Sequence, residues 1–336
     1  MESLINISEE FSVKNYLRKA ILIKALLIAV SVVAIGLIVS CTSGFAEPFD
    51  ISNIYYNYTT LSDSDGEYVI ITKHLVSQSD VKIPDAIYGI PVRKIDDSVF
   101  AGDNQIKSVT FGRYMKHIGS NAFGNCSNLQ NVTFNVSMSD IGEYAFKDCT
   151  SLQSVVFPEN LTSIGRGAFY GCKNLSEISV PNNIKEIGGR AFGNTAWMNL
   201  RSNEEFIFLG DRILIAYNGN KTELRLPKNV KKISGAFAGN RDLKSISLRN
   251  GVEEIGDMAF MGCSSLSSVN IPSNVTEIGS NAFYGCTSIE KLIIPVSTEL
   301  IGTDAFTNCR AALFVKEGSY AEKYCQENGL DCFASK

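Results

Sequence analysis

Apolar residues recur on a 23-residue beat through most of the chain. Ile-Gly-x-x-Ala-Phe occurs at Ile118, Ile141, Ile164, Ile187, Ile255, Ile278 and Ile301, after a degenerate first copy, Ile95-Asp-Asp-Ser-Val-Phe. The step from Ile187 to Ile233 is two periods, and the next is 22 residues because Ile233-Ser-Gly-Ala-Phe lacks one motif residue. The alternation in Leu152-Gln-Ser-Val155-Val-Phe157, Leu175-Ser-Glu-Ile-Ser-Val180 and Leu266-Ser-Ser-Val-Asn-Ile271 predicts a short strand with one buried face. Pro158, Pro181, Pro227, Pro272 and Pro295 then end the strand, because proline brings no N–H to a ladder. Gly-x-x-Ala-Phe-x-x-Cys predicts a tight turn and a short helix, with Ala and Phe directed inward. A unit this small cannot bury its apolar face alone and must stack on its neighbours. About ten rungs at ~4.8 Å each give a solenoid on the order of 50 Å long.

This unit resembles the leucine-rich repeats of the BspA-like type, over roughly residues 68–333. The resemblance implies an α/β fold, a leucine-rich repeat solenoid with a short parallel strand plus a turn or short helix per 23-residue rung. It also implies an irregular double unit, here 187–232, in which Ala191-Phe-Gly-Asn-Thr-Ala-Trp197 leads to Ile213-Leu-Ile-Ala-Tyr-Asn-Gly219. Phe206–Leu209, Gly210-Asp211 and Ile213–Tyr217 predict a hairpin there. Trp197, the only tryptophan, either plugs the core or marks a binding insertion. Proteins of this type are typically on the surface of bacteria and some protozoa, where the resemblance implies a part in adhesion.

The pattern divides the chain into an export signal or anchor with a linker (1–46), an N-terminal cap and first rung (47–94), repeats (95–309) and a C-terminal cap with a short helix (310–336). Lys14, Arg18, Lys19 and Lys24 precede residues 25–40, which carry no charge and predict a signal or anchor helix. Three fates compete. Ile38-Val39-Ser40-Cys41 suits lipidation at Cys41, Gly44-Phe45-Ala46 suits cleavage after Ala46, and the long polar leader suits an uncleaved anchor. All three place the chain beyond residue 46 outside the membrane, tethered to it or secreted. At the N-terminal cap, Ser62–Gly66 predicts a turn, and Tyr68–Thr72 with Val81–Pro84 predict strands. At the other end Ser319-Tyr-Ala-Glu322 predicts a helix capping box, with Tyr320 and Tyr324 on one face and Gly329 as the stop.

Charge narrows the partners. With 31 Lys+Arg against 35 Asp+Glu, the formal charge of −4 argues against nucleic acid, whose phosphates need a basic surface. His74 and His117 are the only histidines, and neither lies near a nucleophile-elbow pattern, so an enzyme has no supporting motif. Asp63-Ser-Asp65-Gly66 reads as a turn, since the late Glu of a calcium loop is missing. Cys126, Cys149, Cys172, Cys263, Cys286 and Cys309 share one repeat position and read as buried thiols packing as small hydrophobes. Thr195 and Arg241 stand in that slot elsewhere, which argues against an obligate bridge. Cys325 and Cys332 stand apart in the cap as a candidate disulfide. No metal-ligand spacing occurs, and no cofactor is expected.

The strand positions flanking the buried Val are the candidate binding face, expected on the concave side. Along the rungs they are Ser108/Thr110, Asn131/Thr133, Ser154/Val156, Glu177/Ser179, Glu223/Arg225, Ser245/Ser247, Ser268/Asn270 and Lys291/Ile293. They form a neutral ribbon of hydroxyls and amides without an aromatic platform or a stripe of one charge sign. An extended segment of an extracellular or envelope protein fits this ribbon. A structural envelope or spacer protein without a specific ligand is the other reading.

Overall fold

Each 23-residue unit closes one turn of a solenoid in the computed structural model, which describes residues 55–335. About 12 turns stack, with leucine-rich repeat character and few helices. One side of each turn is the expected three-residue strand. Ser108–Thr110 pairs in parallel with Asn131–Thr133, Ser154–Val156 with Glu177–Ser179, and Ser245–Ser247 with both Glu223–Arg225 and Ser268–Asn270. The middle residue points inward: Val109, Val155, Leu224, Ile246 and Leu292 are buried.

A second ladder runs through the motif isoleucines. His117–Ile118, Asp140–Ile141, Ser163–Ile164 and Glu186–Ile187 pair in parallel, as do Lys232–Ile233, Glu254–Ile255, Glu277–Ile278 and Leu300–Ile301. Two residues give a single alternation, too short for a period to reveal from sequence.

The third side is a succession of turns. Two residues per rung are left-handed, for instance Asn121 and Asn125 at φ 55° and 62°, then Tyr144 and Asp148 at 56° each. A left-handed residue every fourth position prevents a right-handed helix from propagating. The backbone pairs across rungs instead: Asn121 N–H donates to Glu143 O at 2.8 Å, and Phe123 N–H to Ala145 O at 2.7 Å. Met258 holds the same position at φ 55°, where Asn121 and Asn281 stand in other rungs. Asn visits this region more readily than an unbranched apolar residue does. Met258→Asn is therefore expected to stabilise the chain by about 0.5–1 kcal/mol, read as a higher urea midpoint at constant slope.

Aromatic rings stacked rung upon rung fill the interior. Phe100, Phe123, Phe146, Phe169 and Phe192 stack with centroids 4.7, 5.2, 5.2 and 5.6 Å apart. Phe237, Phe260, Phe283 and Phe306 continue at 5.2, 5.3 and 5.7 Å. Between the two columns lies the irregular unit. The hairpin of Phe206–Leu209 and Ile213–Tyr217 is antiparallel, and its second arm joins the parallel ladder at Lys232–Ile233. Tyr217 takes the phenylalanine's place, 5.3 Å from Phe237. Trp197 is 5% exposed and packs with Ile207 and Ala216, so it plugs the core. Thr195 begins the short helix Ala196–Asn199 by accepting the Met198 N–H.

Both ends are closed by segments outside the motif. An antiparallel hairpin, Tyr56–Asp63 with Gly66–His74, covers the first rung, and Tyr56 meets Phe100 edge-on at 6.2 Å. The hairpin turn is held from two neighbouring rungs: Arg93 Nη1 donates to Asp63 at 2.9 Å, and Lys116 Nζ to Asp65 at 2.9 Å. At the far end the helix Tyr320–Asn328 starts at Ser319, which accepts the Glu322 N–H, and stops at left-handed Gly329. The Glu322 carboxylate accepts from Gly318 N–H, one residue before the expected capping-box donor. Tyr324 lies edge-on to Phe306 at 6.3 Å and is buried, whereas Tyr320 stays 40% exposed. A disulfide joins Cys325 to Cys332, with Cα atoms 6.3 Å apart.

The repeat cysteines are free thiols, buried except for the partly exposed Cys309. Each buried thiol also ties two rungs together: Cys149 Sγ donates to Phe123 O at 3.2 Å and Cys172 Sγ to Phe146 O at 3.1 Å. Burial pushes the Cys126 and Cys263 thiols up to about 12, so they stay protonated at neutral pH. One assignment from sequence is corrected. Asn240, not Arg241, fills the cysteine slot of its rung, because its N–H donates to Phe237 O as the Cys126 N–H donates to Phe123 O.

Candidate functional site

The three-residue strands present two outward columns, one on each side of the buried central residue. Parallel pairing in register sets Ser108 beside Asn131 and Thr110 beside Thr133. It likewise sets Glu223, Ser245 and Ser268 in one column and Arg225, Ser247 and Asn270 in the other. Ser154/Val156, Glu177/Ser179 and Lys291/Ile293 occupy the same positions on their rungs. All these residues are exposed except Ser108 and Ser245, which are half-buried.

The two ladders use their outward side chains differently. On the isoleucine ladder they pair with each other: His117 with Asp140, Lys232 with Glu254. Nearby, Arg166 pairs with Glu143 at 3.0 Å. Burial pushes the carboxyl groups of Glu277 and Asp257 above the ordinary range, with Glu254 adding to the shift at Glu277 and Arg166 opposing it at Asp257. On the three-residue ladder, Ser108 Oγ donates to Asp80, which lowers the Asp80 pKa. Asn270 is bound to its neighbouring rung through Leu248 N–H and O. Asn131, Thr133, Ser154, Ser179, Ser247 and Ser268 make no side-chain hydrogen bond with other described residues. Glu177, Glu223 and Arg225 likewise form no ion pair among the described residues. These donors and acceptors remain available to a partner.

The columns extend further than the motif indicates. Ile293 pairs in register with Phe314, and Phe314 with Phe333. The two phenylalanine rings stack at 5.1 Å, and Lys291 Nζ lies 4.1 Å from the Phe314 ring centroid. The expectation of a ribbon without aromatic residues therefore fails at this end. The alternation Ala312-Leu-Phe-Val-Lys316 was the available signal, but it lies beyond the last repeat of the motif.

A buried polar pair lies at the other end. His74 Nδ1 is 3.5 Å from Asp103 Oδ2, with side chains 6% and 13% exposed, and its ring packs 4.6 Å from Phe100. Burial lowers the His74 pKa, and Asp103 opposes that shift. The unfolded chain therefore takes up this proton first, and acidification through the ordinary histidine range costs stability until the folded pKa is reached. Between about pH 8 and pH 5.5, His74→Phe is expected to flatten the fall in melting temperature shown by the unaltered chain. Asp257 and Glu277 act in the opposite sense at lower pH, since protonation relieves the penalty of burying their charge.

Among the described residues no helix is long and apolar enough to cross a membrane. The apolar run 25–40, the lipidation candidate Cys41 and the cleavage candidate Ala46 lie outside the described residues.

The family model of the BspA type leucine rich repeat region matches residues 93–216 and 215–322, in 6 copies. No curated protein matches the sequence. Among solved structures, the chain is similar to the leucine rich repeat protein of T. pallidum, TpLRR, at 22% identity, covering 84% of this chain and 97% of that one with a TM-score of 0.41. A leucine rich cell surface protein from Faecalibacterium prausnitzii A2-165 is 22% identical over 88% of this chain and 100% of that one, with a TM-score of 0.32. The pneumococcal vaccine antigen PcpA is 17% identical over 84% and 97%, with a TM-score of 0.38.

Proposed function

The chain belongs to the BspA-type leucine-rich repeat family, and from that premise we propose that it is a cell-surface protein binding a protein partner along its outward strand columns. The N-terminal segment exports it and tethers it to the membrane. Proteins of this family are typically bacterial surface proteins, and the solenoid is generally a non-enzymatic binding scaffold. The observation that carries the reading is the run of exposed hydroxyl and amide side chains without intramolecular partners among the described residues, repeated from rung to rung. An extended polypeptide offers N–H and C=O groups along its whole length and can satisfy such a row. The ribbon mixes Glu177, Glu223, Arg225 and Lys291, so a polyanion finds no continuous basic track.

Binding of the full chain to a panel of extracellular-matrix and envelope proteins tests this reading. Saturable binding that is lost in the double variant Val156→Arg/Ser179→Arg supports it. Absence of any saturable partner, or binding indifferent to that variant, favours the spacer reading. Mass spectrometry of the mature N-terminus tests the tether: diacylated Cys41 marks a lipoprotein, Met1 an uncleaved anchor, and Glu47 a secreted chain.

A further inference from the structure

The last strand, Cys332–Ser335, pairs in parallel with Ala312–Lys316, and no strand pairs with its other edge among the described residues. Such edges are ordinarily blunted by shortness, proline or charge. This one is four residues long, and no proline or charged residue lies within it. Its outward residue Phe333 is 54% exposed and stacks on Phe314, and Ile293 beside Phe314 is 61% exposed. The disulfide from Cys332 to the buried Cys325 fixes the strand to the cap helix, so the edge is held ready for pairing.

We propose that this edge is a homodimer interface, in which Cys332–Ser335 of two copies pair antiparallel about a twofold axis. The edge is self-complementary in one register. With Phe333 opposite its own counterpart, both outward faces lie on the same side of the joined sheet, because directly opposed residues share a face. The aromatic row then continues through four rings, Phe314 and Phe333 from each copy. In the same register Asp331 falls opposite Ser335 of the second copy. Ser335 is itself paired with Lys316 on its own sheet. Asp331 and Lys316 are both exposed, and they share an outward row two strand spacings apart, about 9.6 Å between backbones, within reach of a lysine side chain. The twofold axis repeats this contact, so two opposite-charge pairs flank the aromatic centre. A second copy therefore satisfies the edge hydrogen bonds, the aromatic row and the charges together. This interface goes beyond the strand-column reading and stands if that reading fails.

Sedimentation velocity of the full chain in detergent micelles, over a roughly hundredfold concentration range into the tens of micromolar, tests the proposal. A concentration-dependent dimer is expected. Phe333→Glu places like charges opposite each other and should weaken dimerisation at least about tenfold. Circular dichroism of that variant should be unchanged, because Phe333 is largely exposed. Asp331→Lys alone should weaken the dimer, and Asp331→Lys/Lys316→Asp should restore it. Val136→Glu, on a distant exposed turn, should leave it unchanged. A monomer throughout, a dimer insensitive to Phe333→Glu, or a double charge reversal no better than the single one would overturn the proposal.

Discussion

Phe146→Ala is expected to cost about 3–5 kcal/mol of stability, the largest loss available from one side chain. Phe146 is fully buried and stacks on Phe123 and Phe169 at 5.2 Å each. It also meets Phe134 edge-on at 6.1 Å. Removing the ring takes contacts from three neighbours in three rungs and leaves a cavity. The walls of that cavity cannot collapse, because the rung spacing is set by hydrogen bonds on all three sides of the turn. Phe123 N–H to Ala145 O and Phe146 N–H to Ala168 O, both 2.7 Å, hold the backbone apart whether or not the ring is present. The cost is read from the urea midpoint at unchanged slope. Val156→Ala, at a position 71% exposed, should stay within about 0.5 kcal/mol of the unaltered chain.

Gly165→Ala is the second large effect, and its cause is proximity. A Cβ at Gly165 would lie 2.6 Å from Glu143 N and 2.7 Å from Gly142 C, both backbone atoms of the rung before. Gly142, Gly188, Gly279 and Gly302 meet the previous rung equally closely. The second motif residue is glycine because the chain turns sharply off the isoleucine ladder there and backbone lies directly on backbone. An added methyl must push two rungs apart, and neither side offers a flexible side chain to give way. We expect a loss of about 1–3 kcal/mol, with faster amide exchange in the rungs on either side. Gly256 provides the internal control. The deleted residue in the preceding rung loosens its surroundings, and the nearest atom to its Cβ is Ile233 O at 3.0 Å. Gly256→Ala should therefore be the milder change.

The repeat was legible because its strongest signals are inward side chains of large volume at a fixed period. Ile118, Phe123, Cys126, Leu129 and most of their equivalents each occupy a fixed, buried place in the turn. The hairpin at Phe206–Tyr217 and the cap at Ser319 were legible for the same reason, as local patterns with their own turn chemistry. The left-handed positions were not. Asn121, Tyr144, Gly167, Arg190 and Met258 share one backbone conformation without sharing side-chain chemistry, so the turn reads as a helix until the backbone is known. The same mixed occupancy, with one residue deleted after Ile233, hides the cysteine slot at Asn240, so that the pattern points to Arg241 instead. The strand positions that flank the buried residue, such as Ser108 and Thr110 around Val109, follow from alternation alone. Their aromatic extension at Phe314 and Phe333 was missed because those rungs abandon the motif.

The stack is continuous through the irregular unit. Tyr217 N–H donates to Ala236 O at 3.1 Å, Ser234 N–H to Leu214 O at 2.8 Å, and Gly235 N–H to Asp257 O at 2.9 Å. Ser234 Oγ also reaches back to Ile187 O, across the inserted segment. Native-state hydrogen exchange of these amides tests continuity most directly. A continuous stack predicts that Tyr217, Ser234 and Gly235 are protected as strongly as Gly165 and Gly279, whose N–H groups donate to Ile141 and Ile255 at 2.7 Å. Early exchange at the first three, with strong protection retained on either side, would show two separate arrays joined by a hinge and would contradict the account.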